Sequence, residues 1–528
     1  MTFEPVLIAG AWRQSLNPAG SFTAFDPTTK TALPESYPVS GLEDVELALQ
    51  AAQDAVTTLR GHTPEDLAHF LELFAAKIEA HADQLSALAS LETALPITPR
   101  LRASELPRTM DQLRQAAAAA RDRSWSHATL DTAANIRSRY GPLGGPVVVF
   151  GPNNFPFAFN SAAGGDFAAA IAAGNPAVAK ANTGHPGTTK LFAGLAFEAV
   201  IESGLPLGMV QLIYRTPRDV GLRLVSHPLV GATGFTGSRA AGLSLKSAAD
   251  QAGKPIYLEM SSVNPVFVLP GALRERLMGV ANELYNSCSL GAGQFCTNPG
   301  LVILLQNEQG EAFLEAVKGF FAANQPGILL GANGPKGIGE GIRVLIEAGA
   351  EIITGGQEVN GSGYCFENTL LRVSGEAFLQ HPQALQTEAF GTVNLMVFAK
   401  DAAQMAQIAA CLEGNLTGCI YSHTQGEDDK IYNQVEPILR QKVGRLLNDK
   451  MPTGVAVVPA MNHGGPYPAT GHPGFTSVGI PASMLRFAAL HCYDNVRQHR
   501  LPPELKDPNP TGQMWRLIDG TWSQQDIQ

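Results

Sequence analysis

The chain has 528 residues, of which 45% are hydrophobic and 16% are charged. This length exceeds what one hydrophobic core can fill, so it predicts two or three folded domains, and the composition excludes a disordered scaffold. The net charge of −10 leaves no basic excess to neutralise phosphates, which argues against nucleic acid as the main partner.

Cysteine usage and the first residues indicate the compartment. The six cysteines, at positions 288, 296, 365, 411, 419 and 492, form no Cys-x-x-Cys pair and no regular framework. They predict neither disulfides nor a metal site, and they favour a reducing environment. The opening stretch MTFEPVLIAGAWR predicts no signal peptide, and no apolar run reaches the length of a membrane span. A cytoplasmic protein without membrane partners is therefore expected.

The first quarter of the chain shows alanine and leucine at helical spacing. GLEDVELALQAAQDAV and PEDLAHFLELFAAKIEAHADQLSALASLE predict long helices with acidic residues near their starts. DQLRQAAAAARD predicts a further helix, whose alanine run favours close packing. These elements are expected to cover a sheet.

From residue 146 onward, short apolar runs alternate with helical stretches. PVVVF, PAVAKA, VQLIYR, VGATGFTG and PIYLEM predict five strands. Strands that are apolar on both faces and separated by helices form parallel sheets with right-handed crossovers. Ligands bind such sheets beyond the carboxyl ends of the strands, so function is expected in GPNNFP, KANTGHP, YRTPRD, GFTGSR and LEMSS.

The stretch 327–356 has the order strand, glycines, helix and strand that a dinucleotide fingerprint also has. Its spacing does not fit, because Gly341 follows Gly337 and Gly339 as the third glycine, and Ile342 stands where the helix-packing glycine belongs. We interpret it as a flexible surface loop before a helix.

Six segments, in their order along the chain, resemble the aldehyde dehydrogenase superfamily: GPNNFP, GNPAVAKANTGHP, GFTGSRAAG, LEM, GQFCTNPG and EAFGTV. NHGGPYPATGHPGFTSVG and CYDNVRQHRLPPELKDPNPTG resemble more narrowly the branch that oxidises 2-oxoglutarate semialdehyde, which is close to bacterial long-chain aldehyde dehydrogenases. The resemblance implies an α/β fold with three parts. These are a Rossmann-like cofactor domain (1–125 and 145–259), an α/β catalytic domain (260–465), and a small β oligomerisation element with the C-terminal region (126–144 and 466–528). A homodimer or homotetramer is implied.

Three residues match the family's catalytic positions. An aldehyde has no leaving group, so its oxidation first needs a nucleophile, and Cys296 on a polar, partly open loop of small residues suits this step through an increased thiolate fraction. By resemblance, Asn154 and the backbone N–H of Cys296 stabilise the oxyanion, and Glu259 activates the water that hydrolyses the thioester. Burial beside Met260 is expected to raise the pKa of Glu259 and improve it as a base. Relatives that transfer the acyl group to coenzyme A tend to lack this glutamate, so a free acid is the expected product.

Each of these residues also fits a structural role when taken alone. Cys296 could be a small buried side chain, as we expect for Cys288, and Asn154 could be a turn residue. Next to them the chain departs from the family pattern. Asn153 replaces the usual Trp, and Ser261-Ser262 replaces a Gly-Gly pair, which bears on the mobility of Glu259.

The resemblance implies a nicotinamide cofactor held at the second strand. Lys180 ends that strand, where it would bond the adenosine ribose, and Thr183 stands where NAD-preferring relatives carry Glu. The missing carboxylate and the charge of Lys180 favour NADP, with NAD as the alternative. Arg218 is a further candidate cation, or else a solvated arginine at a helix start.

The remaining cofactor positions come from two later motifs. Gly234, Gly237 and Ser238 are expected where a strand meets a helix N-terminus, so that backbone amides bind the pyrophosphate. Glu388 and Phe390 match the pair that holds the nicotinamide ribose and ring.

A small-molecule aldehyde that also bears a carboxylate needs a cation in the entrance tunnel. Arg108, on or near the helix expected to line it, is the candidate, with Gln112 one turn later. Phe155, His463 and Tyr467 are expected to shape the remaining wall.

Three hypotheses for function follow. The first is NADP-preferring oxidation of 2-oxoglutarate semialdehyde in sugar-acid or hydroxyproline catabolism. The second is oxidation of long-chain aliphatic aldehydes, and the third is an inactive structural or binding homologue. Asn154, Glu259 and Cys296 are retained together, which favours an active enzyme.

Overall fold

The computed structural model describes residues 3–528, and its first sheet contains all five predicted strands, parallel to one another. Their short, β-branched runs are buried on both faces, as periodicity required. Two antiparallel strands from the start of the chain, which we did not predict, extend one edge. The order is Ile256–Glu259, Ala232–Thr236, Val147–Phe150, Ala177–Lys180, Val210–Ile213, Val6–Ile8 and Ala11–Arg13.

Helices cover both faces of this sheet, and the predicted ones are present with shifted ends. The long second stretch is interrupted at His81, and the third predicted helix begins earlier, at Leu106. A π-helical segment, Ile97–Glu105, leads into it. The α-helices of this part are Leu42–Leu59, Pro64–Ala80, Ala82–Thr93, Leu106–Asp122, Gly165–Ala172, Pro186–Ser203, Arg218–Ser226 and Arg239–Gln251.

A second sheet carries the rest of the chain up to residue 448. Neighbouring strands are parallel except for the first pair, in the order Glu351–Thr354, Thr369–Ser374, Val393–Ala399, Leu301–Leu305, Val266–Val268, Asn415–Tyr421 and Val443–Asn448. Its helices are Pro270–Ser289, Glu308–Ala323, Asn333–Glu347, Gly375–Gln380, Ala402–Cys411 and Asp429–Arg440. Separate apolar clusters fill its two faces, and Cys288 is buried in one of them, as predicted.

The stretch 327–356 contains the expected helix, but the loop before this helix is shorter than predicted. The glycines at 334, 337, 339 and 341 lie inside the helix Asn333–Glu347. Pro335, Ile338 and Ile342 are buried at helical spacing, and their packing outweighs the low helix propensity of glycine.

A third, small sheet contains the predicted oligomerisation segment. Its strands are Ala488–Asp494, Ile136–Pro142, Thr129–Asp131, Arg516–Ile518 and Thr521–Ser523, of which the last two form a C-terminal hairpin. Two short hairpins complete the strands, Ser21–Asp26 with Thr31–Pro38 and Glu358–Val359 with Cys365–Phe366. The α/β class with two α/β parts and a small β element is confirmed, whereas the domain boundaries stay predictions. Within residues 3–528, no helix combines the length and apolar character that crossing a membrane requires.

Candidate active site

Glu259 is the last residue of its strand, at the carboxyl edge of the first sheet. The later segment 463–477 crosses this edge, because Met260 N–H donates to Ala469 O at 2.8 Å and Glu259 pairs with Thr470. This contact buries the Glu259 side chain, which is 4% exposed. Distant parts of the chain therefore meet where the sequence predicted a base.

His463 links the predicted nucleophile to the predicted base. Its Nε2 atom lies 3.4 Å from Cys296 Sγ and 2.8 Å from Glu259 Oε1. The Ser477 hydroxyl lies 2.8 Å from the other oxygen of Glu259 and 3.0 Å from the His463 carbonyl. The assignment of His463 to the tunnel wall is therefore incomplete, since its ring contacts the thiol and the carboxylate. Sequence reasoning missed this contact and Ser477 altogether.

The thiol of Cys296 is protonated in the resting site. Burial and the negative charge of Glu259 raise its pKa well above the ordinary value, while Arg108 acts in the opposite direction. The prediction of an increased thiolate fraction is wrong, because the loop is less open than its small residues suggested. The thiol consequently needs a proton acceptor, and the Glu259 carboxylate, to which it donates a hydrogen bond, is suited to this role.

The pKa of Glu259 also differs from the prediction. Burial raises it, as expected, but the electrostatic effect and hydrogen bond of His463, together with hydrogen bonds from Ser477 and Cys296, leave it below its ordinary value. The carboxylate is therefore ionised at neutral pH. It is a weak base until these hydrogen bonds loosen.

The loop that carries Cys296 is held at both sides. Asn264 Nδ2 lies 2.9 Å from Cys296 O and 2.8 Å from Asn298 O. Gly293 has a φ of +74°, and a Cβ atom there would lie 2.1 Å from the carbonyl carbon of Gly391. Glycine is needed at this position for packing against neighbouring backbone, rather than for access of the substrate.

Asn154 lies against the same loop, as its predicted role requires. Its Nδ2 donates to Gln294 O at 2.9 Å, which uses one of the two amide hydrogens. The other hydrogen remains for an oxyanion formed beside Cys296.

A buried ion pair supports the segment that contains Asn154. Arg100 pairs with Glu105 and also donates from Nη2 to Asn154 O at 3.0 Å. The other oxygen of Glu105 accepts from the N–H groups of Phe157 and Ala158, at 2.8 and 2.9 Å. Sequence reasoning missed this pair, because its partners lie in a π-helical segment without a recognisable motif.

The serines that replace Gly-Gly fix the loop after Glu259. Ser262 N–H donates to Glu388 Oε1 at 3.2 Å, and Ser262 Oγ lies 3.1 Å from Asn415 Oδ1. Burial raises the pKa of Glu388, while a hydrogen bond from Ser261 opposes this shift. The substitution therefore ties this loop to the predicted nicotinamide-binding residue.

Arg108 is half-buried on the helix Leu106–Asp122, near the thiol. Its guanidinium lies 5.6 Å from the ring centre of Phe155 and 5.3 Å from that of Phe159. Its Nε and Nη2 atoms are buried and have no hydrogen-bond partner within residues 3–528. Burial lowers the pKa of Arg108, although the guanidinium stays charged at neutral pH. An unpaired cation in this position is suited to a substrate anion.

The other predicted wall residues divide into two groups. Gln112 is 1% exposed with an unpartnered Oε1 atom, and Phe155 packs against Phe295 with ring centres 5.1 Å apart. Tyr467 is 62% exposed, so the structure leaves its ring outside the buried wall.

Arg445, which sequence reasoning missed, also acts electrostatically on Cys296 and donates to Pro452 O at 2.7 Å.

A cleft of about 910 Å³ contains part of the predicted cofactor site. Thr183, Glu388 and Phe390 line it together with Asn153 and Arg215. This lining suits a nicotinamide dinucleotide, because the open cleft combines polar side chains with aromatic rings, Phe390 among them.

Lys180 lies at the end of its strand, as predicted, and no hydrogen bond of its ammonium is found within residues 3–528. Burial and the charge of Arg215 lower its pKa to about 8. Its ammonium is therefore available to an anionic ligand near neutral pH.

The remaining predicted cofactor residues lie outside the lining of this cleft. Gly237 and Ser238 are at the strand–helix junction, where Ser238 caps the helix Arg239–Gln251. Gly234 is instead in the middle of its strand, and a Cβ atom there would lie 2.5 Å from Asp166 Oδ2, so its smallness serves core packing. Arg218 is exposed and donates to Ser244 Oγ at 3.2 Å.

The fold and the grouping of thiol, acceptor and amide next to a dinucleotide-sized cleft are those of a thiol-dependent oxidoreductase. The chain belongs to the aldehyde dehydrogenase family, whose sequence model matches residues 12–438. His463 and Ser477 lie beyond the matched range, which explains why the family's own motifs did not indicate their contacts.

Two relatives are similar over most of their length. The chain is 39% identical over 515 residues to alpha-ketoglutaric semialdehyde dehydrogenase 2 of Azospirillum brasilense, covering 95% of this chain and 96% of the relative. It is 37% identical to alpha-ketoglutaric semialdehyde dehydrogenase of Acinetobacter baylyi, covering 92% of each.

Solved structures share the fold at lower identity. Aldehyde dehydrogenase C of Pseudomonas syringae, a mutant complexed with NAD+ and octanal, superposes with a TM-score of 0.80 at 20% identity, covering 93% of this chain and 97% of that one. Lactaldehyde dehydrogenase of Escherichia coli superposes with a TM-score of 0.80 at 22% identity, covering 93% of this chain and 98% of that one.

Proposed function

We propose that this protein oxidises 2-oxoglutarate semialdehyde to 2-oxoglutarate with a nicotinamide cofactor, NADP in preference to NAD. The names of the relatives at 39% and 37% identity support the substrate. The observation that carries the proposal is the unpaired guanidinium of Arg108, buried close enough to Cys296 to lower its pKa.

The substrate has an aldehyde at one end and a carboxylate at the other, with an oxo group beside the carboxylate. A cation near the thiol can hold the carboxylate while the aldehyde carbon lies at Cys296 Sγ. Burying the Arg108 guanidinium without hydrogen-bond partners costs free energy, because the group loses its hydration. A substrate carboxylate that accepts two hydrogen bonds from it supplies the missing partners, and such charge-assisted hydrogen bonds are strong. Gln112, one turn later with an unpartnered oxygen, is suited to a donor group or a bridging water near the oxo group.

The first step needs the thiol to lose its proton. The ionised carboxylate of Glu259, which accepts a hydrogen bond from the thiol, takes this proton, Cys296 Sγ attacks the aldehyde carbon, and a thiohemiacetal forms. The second hydrogen of the Asn154 amide and the Cys296 N–H then stabilise the oxyanion. A bound nicotinamide supplies the hydride acceptor.

The last step hydrolyses the thioester. Glu259 passes the thiol proton to solvent and is then ionised again, so it can take a proton from water once its hydrogen bonds rearrange. The pair of Glu259 and His463 thus serves both proton transfers, and the acid leaves free.

The preference for NADP rests on charge. Thr183 lines the cleft and, unlike the Glu of NAD-preferring relatives, carries no negative charge that would repel a 2′-phosphate. The unpaired ammonium of Lys180 lies nearby. Arg215, which lines the cleft, joins Arg218 as a candidate phosphate partner. Assembly as a dimer or tetramer through the small sheet, with the domain boundaries given above, belongs to the same proposal.

The competing candidate is an aliphatic aldehyde dehydrogenase, which the apolar wall of Phe155, Phe159 and Phe295 favours. An Arg108→Met variant distinguishes the two. It should lose about 10–100-fold in kcat/KM for 2-oxoglutarate semialdehyde, because charged hydrogen bonds contribute about 1.5–3 kcal/mol, and should keep its rate with hexanal. Arg114→Met, on the exposed face of the same helix, is the control. Wild-type protein that prefers hexanal, or an equal loss for both aldehydes, contradicts the proposed substrate.

A further inference from the structure

The sequence predicted no metal site, because no two cysteines stand at ligand spacing, but the fold assembles three ligand side chains around the thiol. Cys296 Sγ, His463 Nε2 and a carboxylate oxygen of Glu259 lie within 4.8 Å of one another. We propose that these side chains form a reversible zinc site and that a bound ion blocks the nucleophile.

The separations suit a tetrahedral ion. Bonds of about 2.3 Å to sulfur and about 2.0 Å to nitrogen and oxygen place ligand atoms roughly 3.3–3.6 Å apart. Cys296 Sγ and His463 Nε2 are already 3.4 Å apart. The 2.8 Å contact between His463 Nε2 and Glu259 Oε1 has to open by about half an ångström to reach the tetrahedral separation.

The ligand types select zinc over the common hard cations. Thiolate and imidazole bind zinc well, whereas magnesium and calcium prefer sets of oxygen atoms. Three protein ligands leave a fourth position for water. A zinc–sulfur bond forms as the S–H bond breaks, and the proton passes to solvent; a zinc–nitrogen bond forms as the hydrogen that His463 Nε2 donates to Glu259 leaves for Nδ1 or solvent. The sulfur lone pair that would attack the aldehyde is then shared with the ion.

Outer contacts hold the ligands in place. The Ser477 hydroxyl contacts the second oxygen of Glu259 at 2.8 Å, and the backbone N–H of His463 donates to Thr476 Oγ1 at 2.8 Å. Such partners orient metal ligands and contribute to affinity. Because His463 and Glu259 are also buried, the ligand atoms converge before any ion arrives.

Zinc binding is measured on the full chain by competition with a chromophoric chelator. We expect one zinc ion per chain at this site, a loss of at least 100-fold in affinity in Cys296→Ser and His463→Gln, and a loss of about 10–100-fold in Ser477→Ala. Cys411→Ser and His423→Gln, which change an exposed thiol and a surface histidine, should bind as the wild type does. Equal zinc affinity in wild type and His463→Gln overturns the proposal.

Cobalt substitution gives a readout that a folding defect does not imitate. The wild-type chain should show a sulfur-to-cobalt charge-transfer band and the intense visible bands of tetrahedral cobalt, and Cys296→Ser should lose the charge-transfer band. Thermal unfolding midpoints establish that the variants are folded. A cobalt spectrum without sulfur ligation in the wild type overturns the proposal.

The inhibitory effect rests on the proposed function, whereas binding does not. Buffered zinc should abolish turnover of 2-oxoglutarate semialdehyde, and EDTA should restore it. If the protein binds zinc at the three residues but oxidises no aldehyde, the proposed function fails while the metal site stands. If it oxidises the aldehyde at the same rate with and without saturating zinc, the proposed block of the nucleophile fails alone.

Discussion

Two carboxylates raise the pKa of the Cys296 thiol, and the guanidiniums of Arg108 and Arg445 oppose them. Glu259 raises its pKa strongly, Glu388 raises it least, and Arg108 lowers it. Replacing Glu259 by Gln removes the larger negative charge, so the pKa falls and more thiolate is present at pH 8. We expect iodoacetamide to alkylate Cys296 severalfold faster in Glu259→Gln at pH 8, although aldehyde turnover decreases.

Glu388→Gln is the matched control for this comparison, since it removes the weaker of the two charges. It should accelerate alkylation by less than Glu259→Gln does. Slower alkylation of Cys296 in Glu259→Gln than in the wild type would contradict the electrostatic argument. Identification of the modified cysteine by mass spectrometry excludes the exposed thiols Cys411 and Cys492.

His463 holds Glu259 beside the thiol, and Glu259 has to receive the thiol proton because the pKa of Cys296 is too high for spontaneous ionisation at neutral pH. Without this contact, the carboxylate is no longer held next to the thiol, and the rate should follow ionisation of the thiol itself. We expect His463→Gln to lower kcat/KM by about 10²–10⁴ at pH 7 and to recover steadily as the pH rises above 9. The measurement is the pH profile of kcat/KM, with His472→Gln as a control at a histidine that stacks on Tyr257 instead. A uniform loss at all pH values would indicate a purely structural role for His463.

Lys180 gives the cofactor site its own pH dependence. Its pKa of about 8 in the unliganded protein means that the ammonium is present below pH 8 and lost above it. If the ammonium binds a cofactor anion, the KM for NADP should rise as the pH increases from 7 to 9. In Lys180→Met the KM should be high throughout this range and lack the rise. A KM for NADP that does not change between pH 7 and 9 in the wild type would show that the Lys180 ammonium does not bind the cofactor.

At the scale of elements, the π-helical segment Ile97–Glu105 controls the position of Asn154. Its Arg100–Glu105 pair is buried, so removing one partner leaves an uncompensated charge. We expect Arg100→Met to lower the free energy of unfolding by about 3–5 kcal/mol and to reduce kcat more than it raises KM, since the oxyanion donor is misplaced.

The exposed pair of Arg121 with Glu72 is the matched control for this change. Arg121→Met should lower the free energy of unfolding by no more than about 1 kcal/mol and leave kcat unchanged, because solvent screens the pair. Denaturant titration and steady-state kinetics on both variants provide the comparison. Unchanged kcat in Arg100→Met would show that Asn154 keeps its place without the pair.

Local periodicity was sufficient to predict the elements that bury a regular face. The five parallel strands and the helices between them follow from apolar runs and their spacing. The strand Val6–Ile8 was missed, because three residues are too few for a pattern and a distant pairing with Val210–Ile213 stabilises it. The first half of the helix Asn333–Glu347 was mistaken for a loop, because tertiary packing outweighs the low helix propensity of its glycines.

The candidate catalytic residues were predicted from short motifs, whereas their protonation could not be. The pKa of Glu259 depends on His463, which lies 204 residues after it, and the pKa of Cys296 depends in turn on Glu259. No local spacing encodes such a contact, since it arises only when the segment 463–477 crosses the edge of the first sheet.

At the scale of the whole molecule, the thiol loop from the second sheet meets the strand ends of the first. Asn154 comes from one part and donates to Gln294 of the other, so the oxyanion site exists only when both are in place. The cleft of about 910 Å³ is likewise lined by Thr183 from the first part and Phe390 from the second. Catalysis therefore depends on how accurately the two α/β parts pack together.

The small sheet presents apolar side chains that the rest of the chain does not cover. Leu490 is 61% exposed on the edge strand Ala488–Asp494, and Trp522 is 53% exposed in the C-terminal hairpin. An open strand edge with exposed apolar residues is suited to a second copy of the chain, as the proposed dimer or tetramer requires.

Leu490→Arg places a charge in that contact, so we expect sedimentation velocity to detect dissociation towards the monomer at micromolar concentration. Ile201→Arg, at an equally exposed position on the helix Pro186–Ser203, should leave the sedimentation coefficient unchanged. If wild type and Leu490→Arg sediment identically as oligomers, subunits associate through another surface, and a monomeric wild type contradicts the proposed assembly itself.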